Sequence, residues 1–266
     1  VCVPSSKRER EYERRRYEKW QERQQVRRAQ RRRTQVIAGS VVGVLVVVGG
    51  VAAAIGLSRG DDAGASPSPS SSTSTATDAS TASTEARTGN GGVLPDVSLA
   101  EDRTWTGTIT TDQGDIGIEL EGDVAPQAVA NFVTLAQEGY FDDTACHRLV
   151  TSGIYVLQCG DPTATGTGGP GYSWGPIENA PSDDVYPAGT IAMARQGGNG
   201  ESMGSQFFLV YEDSTIPSDT AGGYTVFGRI TSGLDVVQAI ADAGVSGGAS
   251  DGAPLTPVTI EGVETQ

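Results

Sequence analysis

The chain has 266 residues, with 19 basic against 33 acidic side chains, a single histidine and a formal charge of −14 at pH 7. The charge is segregated: residues 1–35 hold thirteen Lys/Arg against five Glu, and residues 36–266 hold six cations against 28 carboxylates. An acidic body of that kind excludes nucleic acid and anionic lipid headgroups as its natural partner.

Residues 1–35 have helix-forming composition, with opposite charges at helical spacing such as Glu11 and Arg15. Because a long uncharged run comes directly after it, this basic head reads as a solvated cytoplasmic flank rather than a nucleic-acid arm. That run, Val36 to Leu57, is 22 residues without a charge, long enough to cross a hydrocarbon core of about 30 Å as a helix. The cation excess before it orients the N-terminus inward, and the long n-region points to an uncleaved signal-anchor. The localisation expected is therefore a single-pass cell-membrane protein with a cytoplasmic N-terminus and an extracytoplasmic body. Residues 58–102 are mostly Ser, Thr, Ala, Pro, Gly and Asp. Such a segment buries too little surface to offset its ordering entropy, which predicts a disordered linker with an end-to-end distance of about 35–40 Å.

The folded domain is expected over 103–266. Thr106–Thr111 and Gly114–Glu121 alternate like strands around a turn at Asp112-Gln113-Gly114. Pro126 begins a helix whose apolar stripe is Val129, Phe132, Val133 and Ala136, and Gly139 ends it. Two β-branched runs, 146–150 and 154–158, flank Thr151-Ser152-Gly153 as a hairpin. A second helix is expected from Leu234 to Ala243, with Ser232 as its cap and Val236, Val237 and Ile240 facing inward. Strands before, between and after, ending in Val258-Thr259-Ile260, make a mainly antiparallel β domain closed by two helices.

Arg148 is unusual because it stands inside the apolar hairpin, where a permanently charged guanidinium is costly to desolvate. Its bland reading is a salt-bridged edge arginine. The Gly166-Thr167-Gly168-Gly169-Pro170-Gly171 run matches a dinucleotide fingerprint, but Pro170 and Pro176 forbid the helix that would receive the pyrophosphate. The sole histidine, His147, neighbours Arg148 on the strand and so faces the other side, as a hydrogen-bonded core residue. With two nearby cysteines it falls one ligand short of a zinc site, and no metal or cofactor is expected. A hairpin register pairing Val150 with Tyr155 sets Cys146 opposite Cys159, close enough for a disulfide. Two free thiols remain the alternative, which thiol titration of the unreduced, denatured protein decides.

Cys146-His147-Arg148, then Gln158-Cys159-Gly160-Asp161-Pro162, then Gly204-Ser205-Gln206-Phe207-Phe208, then Val226-Phe227-Gly228 occur in order. This ordered set resembles the cyclophilin family of peptidyl-prolyl cis-trans isomerases, over about residues 104–263. The resemblance implies a closed eight-stranded antiparallel β-barrel with a helix at each end, acting on proline-containing polypeptides. It implies Arg148 and Gln206 as catalytic residues and Tyr155, Val156, Phe208 and Ile216 as the wall that grips the proline ring. Gln158 would orient Arg148, backbone groups at Ala194 and Arg195 would hold the substrate chain, and Tyr224 would stand at a common His position. Tyr155 in place of the usual Phe and Thr215 in place of a common Trp are departures from the pattern. The function implied is X–Pro isomerisation assisting the folding of extracytoplasmic proteins. The alternative is a proline-peptide binding or scaffold domain with the same groove and little turnover. A monomer is expected, attached to the membrane by its single helix.

Overall fold

The structure is a computed structural model that describes residues 86–266. The basic head, the Val36–Leu57 run and residues 58–85 lie outside the described residues, and the expectations for them lie there too. Among the described residues no helix is long and apolar enough to cross a membrane.

Strands β1 (Thr104–Thr111) and β2 (Gly114–Glu121) form the expected hairpin. Their alternation buries Trp105, Ile109, Ile116, Ile118 and Leu120 on one face. The Thr111 hydroxyl closes the turn, accepting from the Gln113 and Gly114 amides at 3.1 Å each. Helix α1 (Pro126–Glu138) comes next, with its whole predicted stripe buried and Gly139 ending it in the left-handed conformation at φ 71°. Ala125 before α1 offers no side-chain cap. Glu178, from a distant loop, accepts from the Gln127 and Ala128 amides at 3.0 Å each and places its carboxylate at the positive end of the helix. Glu178→Gln is expected to lower stability by about 1 kcal/mol, read as a shift in the urea midpoint; an unchanged midpoint would show that the cap contributes nothing.

The chain continues through β3 (Thr144–Ala145), β4 (Arg148–Ser152), β5 (Ile154–Cys159), β6 (Val185–Tyr186), β7 (Thr190–Met193), β8 (Phe207–Val210), β9 (Ser214–Thr215) and β10 (Val226–Ser232). Helix α2 (Leu234–Ala243), β11 (Asp251–Gly252) and β12 (Thr259–Thr265) complete it. The α2 range matches its prediction, with Val237 and Ile240 buried and Val236 half-buried. Its cap differs from the expected Ser232: that residue still belongs to β10, paired with Gly117, and left-handed Gly233 makes the turn.

Ten strands form one antiparallel sheet in the order β11-β4-β5-β8-β7-β10-β2-β1-β12-β3, and β6 pairs with β9 separately. The expected closed eight-stranded barrel is corrected to a curled sheet whose end strands, β11 and β3, do not pair with each other. The break lies at Cys146-His147, where the chain changes partner. The Cys146 amide donates to Val258 beside β12, whereas the His147 amide donates to Gln158 in β5. Phe132 of α1 fills the concave side, its ring 5.1, 5.3 and 5.4 Å from those of Phe141, Phe207 and Phe227.

The folded body begins before the expected boundary at 103. Turns of 3-10 helix at Gly89–Gly92 and Val97–Ala100 lie against α1, Ala100 is fully buried, and Trp105 Nε1 donates to the Ala100 carbonyl at 2.8 Å. Arg87 donates to the Tyr140 and Asp142 carbonyls just past the end of α1, and the Gly89 amide donates to Pro170 at 2.9 Å. A few small apolar side chains in a Ser- and Gly-rich stretch carry this packing, which is why composition alone assigns it to the linker.

Candidate active site

Residues directly opposed on antiparallel strands share a face. Across β4-β5-β8-β7 the pairs Arg148↔Gln158, Gln158↔Phe208 and Phe208↔Ala192 form one row. Two residues along, Asp251↔Val150, Val150↔Val156 and Val156↔Val210 form a second row on the same face, running across β11-β4-β5-β8. The opposite face carries Leu149, Leu157, Leu209 and Ile191 into the main core. The hairpin therefore sorts its side chains by period two, and Arg148 stands on the outer face, two strands or about 10 Å from the strand of Phe208.

On that outer face a second apolar cluster forms from Val150, Val156, Tyr186, Ala192, Phe208, Val210 and Ile216, with Ile154, Ala194, Tyr224 and Val226 against it. The ring of Tyr224 meets Phe208 edge-on at 5.6 Å, and its amide donates to the buried Tyr186 hydroxyl at 2.8 Å. Ile216 is held by its amide donating to the Asp184 carbonyl at 2.9 Å. Tyr155 is not among them, which corrects the expected proline-gripping wall. It lies on the other face of β5, half-buried against the main core with its ring 5.9 Å from that of Tyr211. Adjacent residues of a regular strand cannot line one slot, and Val156 already faces outward. The structure places Ile154, which belongs to no motif, on the Val156 side instead.

A polar chain runs beside this apolar cluster. Arg148 Nη1 donates to Gln158 Oε1 at 3.3 Å, Gln158 Nε2 to Gln206 Oε1 at 2.8 Å, and Gln206 Nε2 to the Gly168 carbonyl at 2.9 Å. On its other edge Arg148 donates from Nε and Nη2 to both oxygens of Asp251, at 2.8 and 2.7 Å. That bond raises the guanidinium's affinity for its proton and holds the Asp251 carboxyl below its ordinary range. Asp251 is 103 residues from Arg148 in sequence and lies in no motif, so no local signal could have found it.

The expected part of Arg195 is its backbone, and its side chain has a separate one. Its side chain is fully buried and donates to both Asp219 oxygens, at 2.9 and 3.0 Å, and to the Gly223 carbonyl at 2.9 Å. The guanidinium also lies 4.6 Å over the Tyr224 ring. It thus pins the 216–224 loop, which brings Ile216 and Tyr224 to the apolar cluster. The hydrogen bond from Arg195 draws the Asp219 carboxyl well below the usual range. The Ala194 amide donates to the Gln206 carbonyl at 2.9 Å, and the Ala194 side chain packs against the apolar cluster.

The Gly/Thr-rich loop is organised by Asp161, which is fully buried. Its carboxylate accepts from the Thr163 amide at 2.7 Å and hydroxyl at 2.8 Å, and from the Gly166 and Gly168 amides at 2.7 and 3.0 Å. A Cβ at Gly168 would collide with that carboxylate. Burial alone would raise the Asp161 carboxyl, but the Thr163, Gly168 and Gly166 donors outweigh it and the net shift is downward. A lowered carboxyl stabilises the fold above the unfolded value of about 4, and that contribution is lost as pH falls through the folded value. Asp161→Asn is expected to lower the melting temperature at pH 6 and to narrow the loss between pH 6 and pH 3, with scanning calorimetry as the check.

His147 is half-buried with both ring nitrogens unpartnered, which corrects the expected hydrogen-bonded core residue. Burial pushes its pKa down, so the ring is neutral at pH 7. Cys146 and Cys159 are joined in a disulfide, although the register behind that expectation is off by one. Val150 pairs with Val156 rather than Tyr155, and the partner change at Cys146-His147 brings the two sulfurs together instead.

Comparison with known proteins finds relatives of one family. The family described as cyclophilin type peptidyl-prolyl cis-trans isomerase/CLD matches residues 106–265. A "Probable peptidyl-prolyl cis-trans isomerase B" of Mycobacterium tuberculosis is 48% identical over 168 residues, covering 59% of this chain and 53% of its own length. A Helicobacter pylori peptidyl-prolyl cis-trans isomerase is 44% identical over 140 residues, 52% of this chain and 81% of its own. The crystal structure of a Cryptosporidium parvum cyclophilin type isomerase, solved in the presence of the dipeptide Ala-Pro, superposes with a TM-score of 0.52 at 27% identity, covering 60% of this chain and 98% of its own. The chain spans about half the length of the mycobacterial relatives. With its ordered motifs, its curled sheet and the match over most of the folded body, the chain belongs to the cyclophilin-type peptidyl-prolyl cis-trans isomerase family.

Proposed function

We propose that the folded domain catalyses cis-trans rotation of X–Pro bonds in extended polypeptides, with Arg148 as the catalytic donor. The observation that carries this reading is the row Arg148-Gln158-Phe208, a fixed guanidinium on the face of an apolar slot. The slot is sized by Phe208, Val156, Ile216 and Tyr224, which receive the proline ring. Rotation is opposed by amide resonance worth about 18–20 kcal/mol, leaving the uncatalysed process at tens to hundreds of seconds. Reaching milliseconds takes roughly five decades, or about 7 kcal/mol.

A prolyl nitrogen accepts a hydrogen bond only as its lone pair leaves conjugation, so a donor aimed at it acts on the twisted state and not on the planar ones. Arginine suits the task because it keeps its proton at any working pH. Gln206, held between Gln158 and the Gly168 carbonyl, orients the peptide beside the slot, and the backbone at Ala194 and Arg195 aligns the chain. A two-dimensional exchange NMR measurement on an Ala-Pro peptide with the full chain tests the reading. Line exchange at the uncatalysed rate would overturn it in favour of a proline-peptide binder with the same groove and little turnover.

The domain is proposed to work outside the cytoplasm on folding proteins, tethered through Val36–Leu57. The charge asymmetry around that run supports it, as does a disulfide, since such bonds persist in oxidising compartments. Labelling of an introduced surface cysteine at Asp123 by a membrane-impermeant maleimide on intact cells checks the topology; protection until lysis would place the domain inside.

A further inference from the structure

We propose that Asp251 is a positioning residue for Arg148, fixing the plane in which the guanidinium meets the substrate; this rests on the isomerase reading above. The guanidinium has five N–H donors in one plane. Asp251 takes the Nε and Nη2 edge with two oxygens, and Gln158 takes one hydrogen of Nη1. One hydrogen on Nη1 and one on Nη2 are left, and both lie in the plane that the other three bonds define. The Gln158 bond alone, at 3.3 Å, is a single long contact about which the group could swivel. The paired bonds from Asp251 remove that freedom.

The carboxylate is itself placed by backbone. Asp251 pairs directly with Val150, and the neighbouring Thr151 amide donates to the Ser250 carbonyl at 2.8 Å. Further along, the Ser246 amide donates to Ala253 at 2.8 Å and Val245 bridges to Pro254, so the segment is closed on itself. This puts the carboxylate on the outer face, opposite Val150 and so two residues along from Arg148. Both partners are well exposed, at 42% and 49%. An ion pair in that setting adds little to the stability of the fold. Its effect is directional, and a donor that must point at one nitrogen in the twisted state depends on direction far more than the folded chain does.

The test compares Asp251→Asn with the wild-type full chain. Asparagine keeps the size but offers one acceptor oxygen and no charge, so the two-pronged contact is lost. The expected result is a fall in kcat of about tenfold with KM within about twofold. The exposed-site variant Asp123→Asn, which removes a charge away from the groove, is expected to leave both constants unchanged. In a background of Arg148→Lys, which lacks the planar edge, Asp251→Asn is expected to have no further effect on kcat. The Arg148 Nε–H resonance should exchange slowly with water in the wild type and be broadened or lost in Asp251→Asn. A role confined to stability would shift the melting temperature alike in both backgrounds and leave the kcat-to-KM split alone. An active wild type with Asp251→Asn equal to it in kcat, or with its Arg148 Nε–H already in fast exchange, overturns this inference alone. A wild type without activity overturns the isomerase reading and this inference with it.

Discussion

Arg148→Ala is expected to lower kcat/KM by about a hundred- to a thousandfold, the loss typical of removing one donor aimed at a transition state. The side chain is 42% exposed and sits on the outer face of β4, away from the Phe132-centred core, so the fold should survive its removal. The larger share of the loss should appear in kcat, because in the proposed mechanism the donor meets the nitrogen only in the twisted state. Arg148→Lys is expected to restore little. A lysine ammonium carries the charge but cannot hold Asp251 along one edge and Gln158 at another while leaving a donor free. Phe208→Ala, by contrast, removes wall and not donor, and should raise KM. The check is exchange NMR on an Ala-Pro peptide over a range of substrate concentrations. An Arg148→Ala protein within threefold of wild type would mean that the activity resides elsewhere.

Removing the Cys146–Cys159 disulfide is expected to destabilise the domain by about 3 kcal/mol, the loop-closure value for a ring of this size. The bridge spans 13 residues and closes the hairpin that carries Arg148 and Gln158. Both cysteines are buried, at 4% and 1% exposure, so Cys146→Ala with Cys159→Ala is the better variant than serine, which would bury two hydroxyls. With an m-value of about 2 kcal/mol/M, the urea midpoint should drop by about 1.5 M. Excess reductant should move the wild-type midpoint by a similar amount and leave the double variant unmoved. Activity should fall as well, since Arg148 is two residues from one sulfur and Gln158 adjoins the other. Identical wild-type midpoints with and without reductant would show that the bond is not formed in solution.

The parts of this protein legible in its sequence are those written in short spacing. The α1 stripe Val129, Phe132, Val133 and Ala136 recurs with the helical period, Gly139 closes it, and both are found as expected. The β1–β2 turn and the α2 range arise from equally local patterns. Arg148, Gln158, Gln206 and Phe208 are identifiable because each sits in a compact motif; strand pairing then brings Arg148, Gln158 and Phe208 into one row, and Gln206 joins it by accepting from the Gln158 side chain. Tyr155 is the one misplacement that local pattern could have prevented, because strand alternation alone separates it from Val156.

Residue order alone thus specifies the strongly patterned elements and the chemistry of each side chain: a mainly antiparallel β domain with two helices, and a permanently charged side chain within an apolar hairpin. Which distant groups meet is settled only in three dimensions. Asp251 reaches Arg148 across 103 residues, Glu178 caps α1 from a loop about fifty residues away, and the Arg195 side chain pins Asp219. The partner switch at Cys146-His147, which leaves the sheet curled instead of closed, belongs with them. Local pattern reports the preferences of neighbours along the chain, whereas these contacts depend on how the sheet bends and which strand edges it presents, and no stretch of residues encodes that alone.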